Sequence, residues 1–347
     1  MSEEEDHMLE EHRPSRRQFV AGSLKTAIGA GVLAALIPEP AVAARKANLR
    51  FGLTTYEWGK DWDIPTILKN LTTAKVGSVE LKTVITQRDG SPLRYPHGVE
   101  LDLSARQRAE AKKRFADSPV ELVSLATSEH FPYSDGAKDW GALATVDGIR
   151  IYKSKYGVAP GNGITRTKAT REAVKEYLKL SKDVGSKYIR VLPNNWLPDF
   201  PHEKTLDMIA DDLNEVAGMA QDLGQRIALE AHGSPGTLEN MKYVMDRVKY
   251  RNTVGIRLNS EGRNATNPGF EEQYALIKDV VSPTMHIHNL KAPGYPYQTV
   301  INVMTKAGWD GWAFLEVSDN VPDRVAALAE QREIWEKMVA AAESGEK

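Results

Sequence analysis

The chain has 347 residues, 41% hydrophobic and 27% charged, enough for one large domain or two small ones. The net charge is −2, and beyond residue 43 there are 41 Lys/Arg against 40 Asp/Glu, which argues against a nucleic-acid partner with its demand for a strongly basic face. With no cysteine, disulfides, thiolate metal sites and cysteine nucleophiles are excluded, and the redox compartment stays open.

At the N-terminus, Ser15-Arg16-Arg17-Gln18-Phe19-Val20 precedes an apolar run, Ala27 to Pro38, and Ala41-Val42-Ala43 offers small residues for a signal peptidase. This layout predicts a cleavable secretory signal over residues 1–43, and the arginine pair resembles a twin-arginine signal. The export machinery is then a transient partner, and the mature chain, residues 44–347, is periplasmic or otherwise exported. A membrane anchor is the alternative, but the run falls short of the ~20 apolar residues that a spanning helix needs.

From Leu49 onward, short β-branched runs alternate with helical patterns. Predicted strands are Leu49–Thr55, Ser78–Lys82, Val120–Thr127, Tyr188–Leu192, Arg226–Ala231, Val254–Asn259, Met285–Asn289 and Trp312–Val317. The clearest helix is Glu203–Leu223, where Leu206, Ile209, Ala210, Leu213 and Val216 recur at helical spacing. Ser104 and Thr237 stand at expected helix starts, and Gly185, Gly224 and Gly308 near expected ends. Eight such units predict an α/β fold, a parallel (β/α)8 barrel, which takes about 250 residues. A doubly wound sheet is disfavoured because Thr55-Tyr56-Glu57-Trp58-Gly59, after the first strand, has one glycine and no phosphate-binding loop. Two long loops, Thr83 to Leu103 and Ser128 to Arg166, would lie over the catalytic face of a barrel, as a lid or as plain insertions.

Alternation along strands puts Glu230 with His232, Arg257 with Asn259, His286 with His288, and Glu316 with Ser318 on common faces. All lie near the C-terminal ends of the last four strands, where a barrel builds its active site. An ionised Glu inside a barrel costs several kcal/mol unless compensated. A divalent cation would compensate both glutamates; carboxylate and imidazole ligands suit Mn, Co, Zn, Fe or Mg. The alternative is a structural salt bridge through Arg257. Glu80, Lys82, Arg190, His130 and His232 are candidates to hydrogen-bond a substrate or are ordinary lining residues. Tyr56, Trp58 and Trp196 follow strand ends; Trp58 is the first candidate to stack on a substrate.

The segments Gly77-Ser78-Val79-Glu80-Leu81, Leu229-Glu230, Met285-His286-Ile287-His288 and Leu315-Glu316 resemble the xylose isomerase-like barrel superfamily, in particular its sugar phosphate isomerase/epimerase branch. Tyr295-Pro296-Tyr297 and Asp323-Arg324-Val325-Ala326-Ala327 resemble the exported members. The resemblance spans the mature chain. It implies one divalent metal held by Glu230, Asn259, His286 and Glu316, with Asn259 where Asp is commoner, so the site has one negative charge fewer. It also implies that Glu230 and Glu316 are the acid–base pair, with His288 as a substrate contact or substitute ligand. The implied substrate is a small carbohydrate enolised beside its carbonyl; with export expected and no phosphate-binding loop in the sequence, it is a free keto-sugar or 3-keto-glycoside rather than a sugar phosphate. The same enolate leads to epimerisation, aldose–ketose isomerisation or β-elimination by a lyase. Two rivals stand beside this reading. One is an apurinic-site endonuclease, disfavoured because six histidines remain after residue 43 (His97, His130, His202, His232, His286 and His288) for a three-metal cluster. The other is a non-catalytic sugar-binding protein, motivated by Asn259.

Overall fold

The computed structural model describes residues 46–86, 92–134 and 163–345. The expected signal segment lies outside them, as do residues 87–91 of the expected loop from Thr83 to Leu103 and 135–162 of that from Ser128 to Arg166. All described residues fall in one compact unit, Ala44–Lys347.

Eight strands close into a barrel: β1 (Asn48–Thr54), β2 (Ser78–Lys82), β5 (Glu121–Phe131), β6 (Tyr188–Pro193), β7 (Arg226–Glu230), β8 (Val254–Leu258), β9 (Val281–Ile287) and β10 (Asp310–Leu315). Each pairs in parallel with its neighbours, and β1 joins β10 to seal the wall. Two short strands, β3 (Ile85–Thr86) and β4 (Pro92–Leu93), pair antiparallel within the expected loop from Thr83 to Leu103, a pairing that the sequence pattern does not announce.

The connecting helices are α1 (Ile64–Thr73), α2 (Ala105–Ala116), α3 (Gly163–Val184), α4 (His202–Leu223), α5 (Leu238–Arg247), α6 (Phe270–Ile277), α7 (Tyr297–Lys306) and α8 (Arg324–Ser344). Their starts follow local chemistry. Ser104 and Gln107 form a reciprocal capping box on α2, and Thr237 caps α5. Helix α4 buries Leu206, Ile209, Leu213 and Val216 against the barrel and ends at Gly224, whose φ of 67° is left-handed. Among the described residues no helix is long and apolar enough to cross a membrane.

The main apolar core lies between the strands and the helices. A second, small cluster of Val123, Tyr188, Trp312 and Phe314 plugs the barrel interior. Gly52 makes room for that plug: a Cβ there would lie 2.7 Å from the Phe314 ring and 2.6 Å from Ser78 Oγ. Polar residues occupy the interior above Phe314, so the plug is the floor on which the site is built.

Candidate metal and sugar site

The alternation of β2, β8 and β9 turns Glu80, Arg257 and His286 inward, just above Phe314. Arg257 Nη1 and Nη2 donate to Glu80 Oε2 at 2.5 Å and Oε1 at 2.9 Å, and His286 Nε2 lies 2.7 Å from Glu80 Oε1. Glu80 and Arg257 have no solvent exposure. Burial alone would raise the Glu80 carboxyl, but Arg257 and His286 outweigh it and hold its pKa well below the usual carboxylate range.

Above this layer five polar groups converge. His286 Nδ1 lies 2.9 Å from Glu316 Oε2 and 3.3 Å from Glu230 Oε2. Asn259 Nδ2 donates to Glu230 Oε1 at 2.8 Å, and Arg190 Nη1 to Glu230 Oε2 at 3.2 Å. Burial works against ionisation of Glu230, yet Arg190 and His286 hold its pKa well below normal; Glu316, against the same burial, is drawn down to about 2, first by His286. Burial and Arg257 both oppose charge on His286, but Glu230, Glu316 and Glu80 together lift it to about 10. The field at this point therefore favours positive charge.

Two buried atoms here lack a hydrogen-bond partner, Asn259 Oδ1 and His286 Nδ1; the latter is near Glu316 without hydrogen-bond geometry. Buried polar atoms are nearly always satisfied, so a pair of orphans beside two carboxylates asks for a ligand. Two carboxylates, an amide oxygen and an imidazole nitrogen are a fitting donor set for a divalent cation. Among the described residues no three His, Cys, Asp or Glu side chains stand as a ready-made metal cage. One of the four donors here is an amide, and the imidazole is drawn directly against Glu316.

Above the donors opens a cavity of about 270 Å³, lined by Tyr56, Lys82, Ile85, Ser128, His130, Arg190, Leu192, Glu230, His232, Asn259, Glu261, His288 and Glu316. Most residues that the sequence singled out thus meet at one place. Lys82 Nζ donates to Ala126 O at 3.2 Å and to Ser128 Oγ; burial, then Arg190, lowers its pKa to about 7. Burial likewise takes His130 down to about 4. At the rim His232 Nδ1 is 2.5 Å from Glu261 Oε1, and that hydrogen bond raises the pKa of His232. His286 sits among the donors and His288 on the cavity wall, lowered by burial.

Two expected substrate contacts are placed elsewhere. Glu80 does not reach the cavity, because Arg257 and His286 consume its oxygens one layer below. Trp58 is 5% exposed in the core, and its Nε1 donates to Asp319 O at 2.9 Å, so it packs β1 against the loop after β10. Trp196 stacks on His202, with ring centroids 4.0 Å apart, and does not line the cavity. Arg257 makes its hydrogen-bonded salt bridge with Glu80, and its Nε also lies within ion-pair range of Glu230 Oε2, at 3.8 Å, without a hydrogen bond to it. Glu261 escaped the sequence reading. It lies beyond the end of β8 at Leu258, where strand alternation no longer places side chains.

The profile of the family described as the xylose isomerase-like TIM barrel matches residues 73–338. The chain belongs to this family. Solved structures repeat its barrel. A D-tagatose 3-epimerase-like protein is 15% identical, over 85% of this chain and 99% of its own, with a TM-score of 0.59. An L-ribulose 3-epimerase is 12% identical over 86% and 96%, with a TM-score of 0.62. The IolI protein, solved with a bound zinc atom, is 14% identical over 86% and 99%, with a TM-score of 0.58. At such identities these likenesses speak for the fold. No curated protein matches the sequence significantly.

Proposed function

We propose that this member of the xylose isomerase-like family is a metal-dependent sugar isomerase or epimerase that enolises a keto-sugar. The observation that carries the reading is the pair of ionised carboxylates, Glu230 and Glu316, on either side of His286 Nδ1 beneath a sugar-sized cavity. The epimerases and the zinc-containing protein among the solved relatives support it. Glu230, Asn259, His286 and Glu316 would hold the cation. When bound, a divalent cation polarises the substrate carbonyl and makes the neighbouring C–H acidic.

The chain's residues do the rest. Glu230 and Glu316 are deprotonated at neutral pH and ready to accept a proton. One of them takes it from the carbon next to the carbonyl, and the C–H electrons form the C=C bond while the carbonyl π pair moves onto oxygen. If the opposite carboxylate has meanwhile taken a proton from solvent, its delivery to the other face of that carbon inverts it, and the first carboxylate gives its proton back to solvent; return of the abstracted proton to the former carbonyl carbon, with the hydroxyl proton passing to the former carbonyl oxygen, exchanges aldose for ketose. His288, His232, His130, Lys82 and Arg190 supply hydrogen bonds for sugar hydroxyls, and Tyr56 with Ile85 and Leu192 gives a face for the C–H side of the ring. The substrate is a free keto-sugar or 3-keto-glycoside, which accords with export through a twin-arginine signal at residues 1–43.

The test is solvent exchange. Manganese-loaded protein incubated in D2O with a panel of keto-sugars is expected to place deuterium beside the carbonyl of one of them, by NMR. Glu316→Gln should slow this at least a hundredfold. Wild-type protein that binds a sugar without exchange would make it a binding protein. Release of an aglycone with exchange would mark a lyase, and a Glu316→Gln variant with full exchange would remove the role of that carboxylate.

A further inference from the structure

Glu80 is wholly buried, does not touch the cavity and spends both oxygens on two partners. The paired Arg257 keeps it ionised, and an ionised carboxylate only accepts hydrogen bonds. The His286 nitrogen facing it, Nε2 at 2.7 Å, must therefore carry the proton. When a cation takes the place of a proton on Nδ1, that nitrogen's lone pair becomes available between Glu316 Oε2, 2.9 Å away, and Glu230 Oε2, 3.3 Å away.

We propose that Glu80, clamped by Arg257, is a positioning residue that fixes the tautomer and tilt of His286, so that Nδ1 is presented to a divalent cation. This deepens the metal reading of the site and rests on it. The floor residue Phe314, with Arg257 Cζ 5.8 Å from its ring centre, keeps the clamp from sinking into the barrel. A carboxylate behind a ligating histidine raises its basicity and removes the entropy of choosing a tautomer; loss of such a partner typically costs about 10–100-fold in metal affinity.

The experiment measures zinc binding by chelator competition in the mature protein, for wild type, Glu80→Gln and Glu80→Asp. Glutamine offers one oxygen to three N–H donors, and its amide can turn an N–H toward His286. The expected result is a 10–100-fold weaker zinc affinity for Glu80→Gln at an unchanged fold by circular dichroism, with Glu80→Asp recovering part of it. A folded Glu80→Gln variant with wild-type affinity overturns the inference. Should that variant fail to fold, 15N NMR of His286 in zinc-loaded wild type decides: Nε2–H with Nδ1 ligated is expected, and Nδ1–H with Nε2 ligated overturns it. Wild-type protein that takes up no zinc sinks the metal reading beneath, which distinguishes the two failures.

Discussion

His97, on the loop after β4, shows how one buried side chain sets a pH limit. Its Nδ1 accepts from Val99 N at 3.0 Å and its Nε2 donates to Lys82 O at 2.9 Å, an arrangement only the neutral ring can make. Burial pushes its pKa down to about 4. The unfolded chain takes up this proton near pH 6.5, the folded one only near 4, so the unfolded state binds more protons in between. Stability is therefore complete above about 6.5 and drains away as pH falls toward 4, by about 3 kcal/mol in all. His97→Gln keeps a donor and an acceptor without the proton uptake. Its Tm should fall less steeply than that of wild type between pH 7 and 4.5; parallel curves would contradict the assignment. At the same scale, the sequence exposed the donors but not their support. Strand alternation put Glu230, Asn259, His286 and Glu316 on inward faces together with His232, Arg257, His288 and Ser318, because period two is a local property; the resemblance to the family singled out the four. That Glu80 serves His286 was not legible, since the two stand 206 residues apart and meet only when the barrel closes.

Among elements, short strands with apolar residues at alternating positions or in a short run were readable to within a residue or two, as with β2, β6 and β7. Strand β9 was not. It begins at Val281, four residues before the expected Met285, because Ser282-Pro283-Thr284 lacks the apolar signal and proline speaks against a strand. The ladder tolerates it at the register shift between the Ile256–Val281 and Leu258–Met285 pairs. Strand β1 carries a different constraint. Gly52 lies against the Phe314 plug, so Gly52→Ala must displace a fully buried ring toward Arg257. Overpacking of this sort costs about 1–3 kcal/mol. The variant is expected to unfold at correspondingly lower urea with an unchanged slope, and a neutral outcome would mean that the plug is loose.

For the whole molecule, the (β/α)8 architecture was legible because each unit repeats the same two periodicities, and the family profile over residues 73–338 agrees. The N-terminal 43 residues bear on location. If Arg16 and Arg17 form a twin-arginine signal, replacing both with Lys should hold the protein in the cytoplasm by cell fractionation; unchanged export would exclude that route. The function rests on the donor set at the barrel mouth. Its most direct test is a cobalt(II) titration followed by visible absorption, on wild type and on His286→Ala. One cobalt per chain with ligand-field bands, and binding weakened at least a hundredfold in the variant, is expected. Absence of stoichiometric uptake, or equal uptake by the two proteins, would contradict the account.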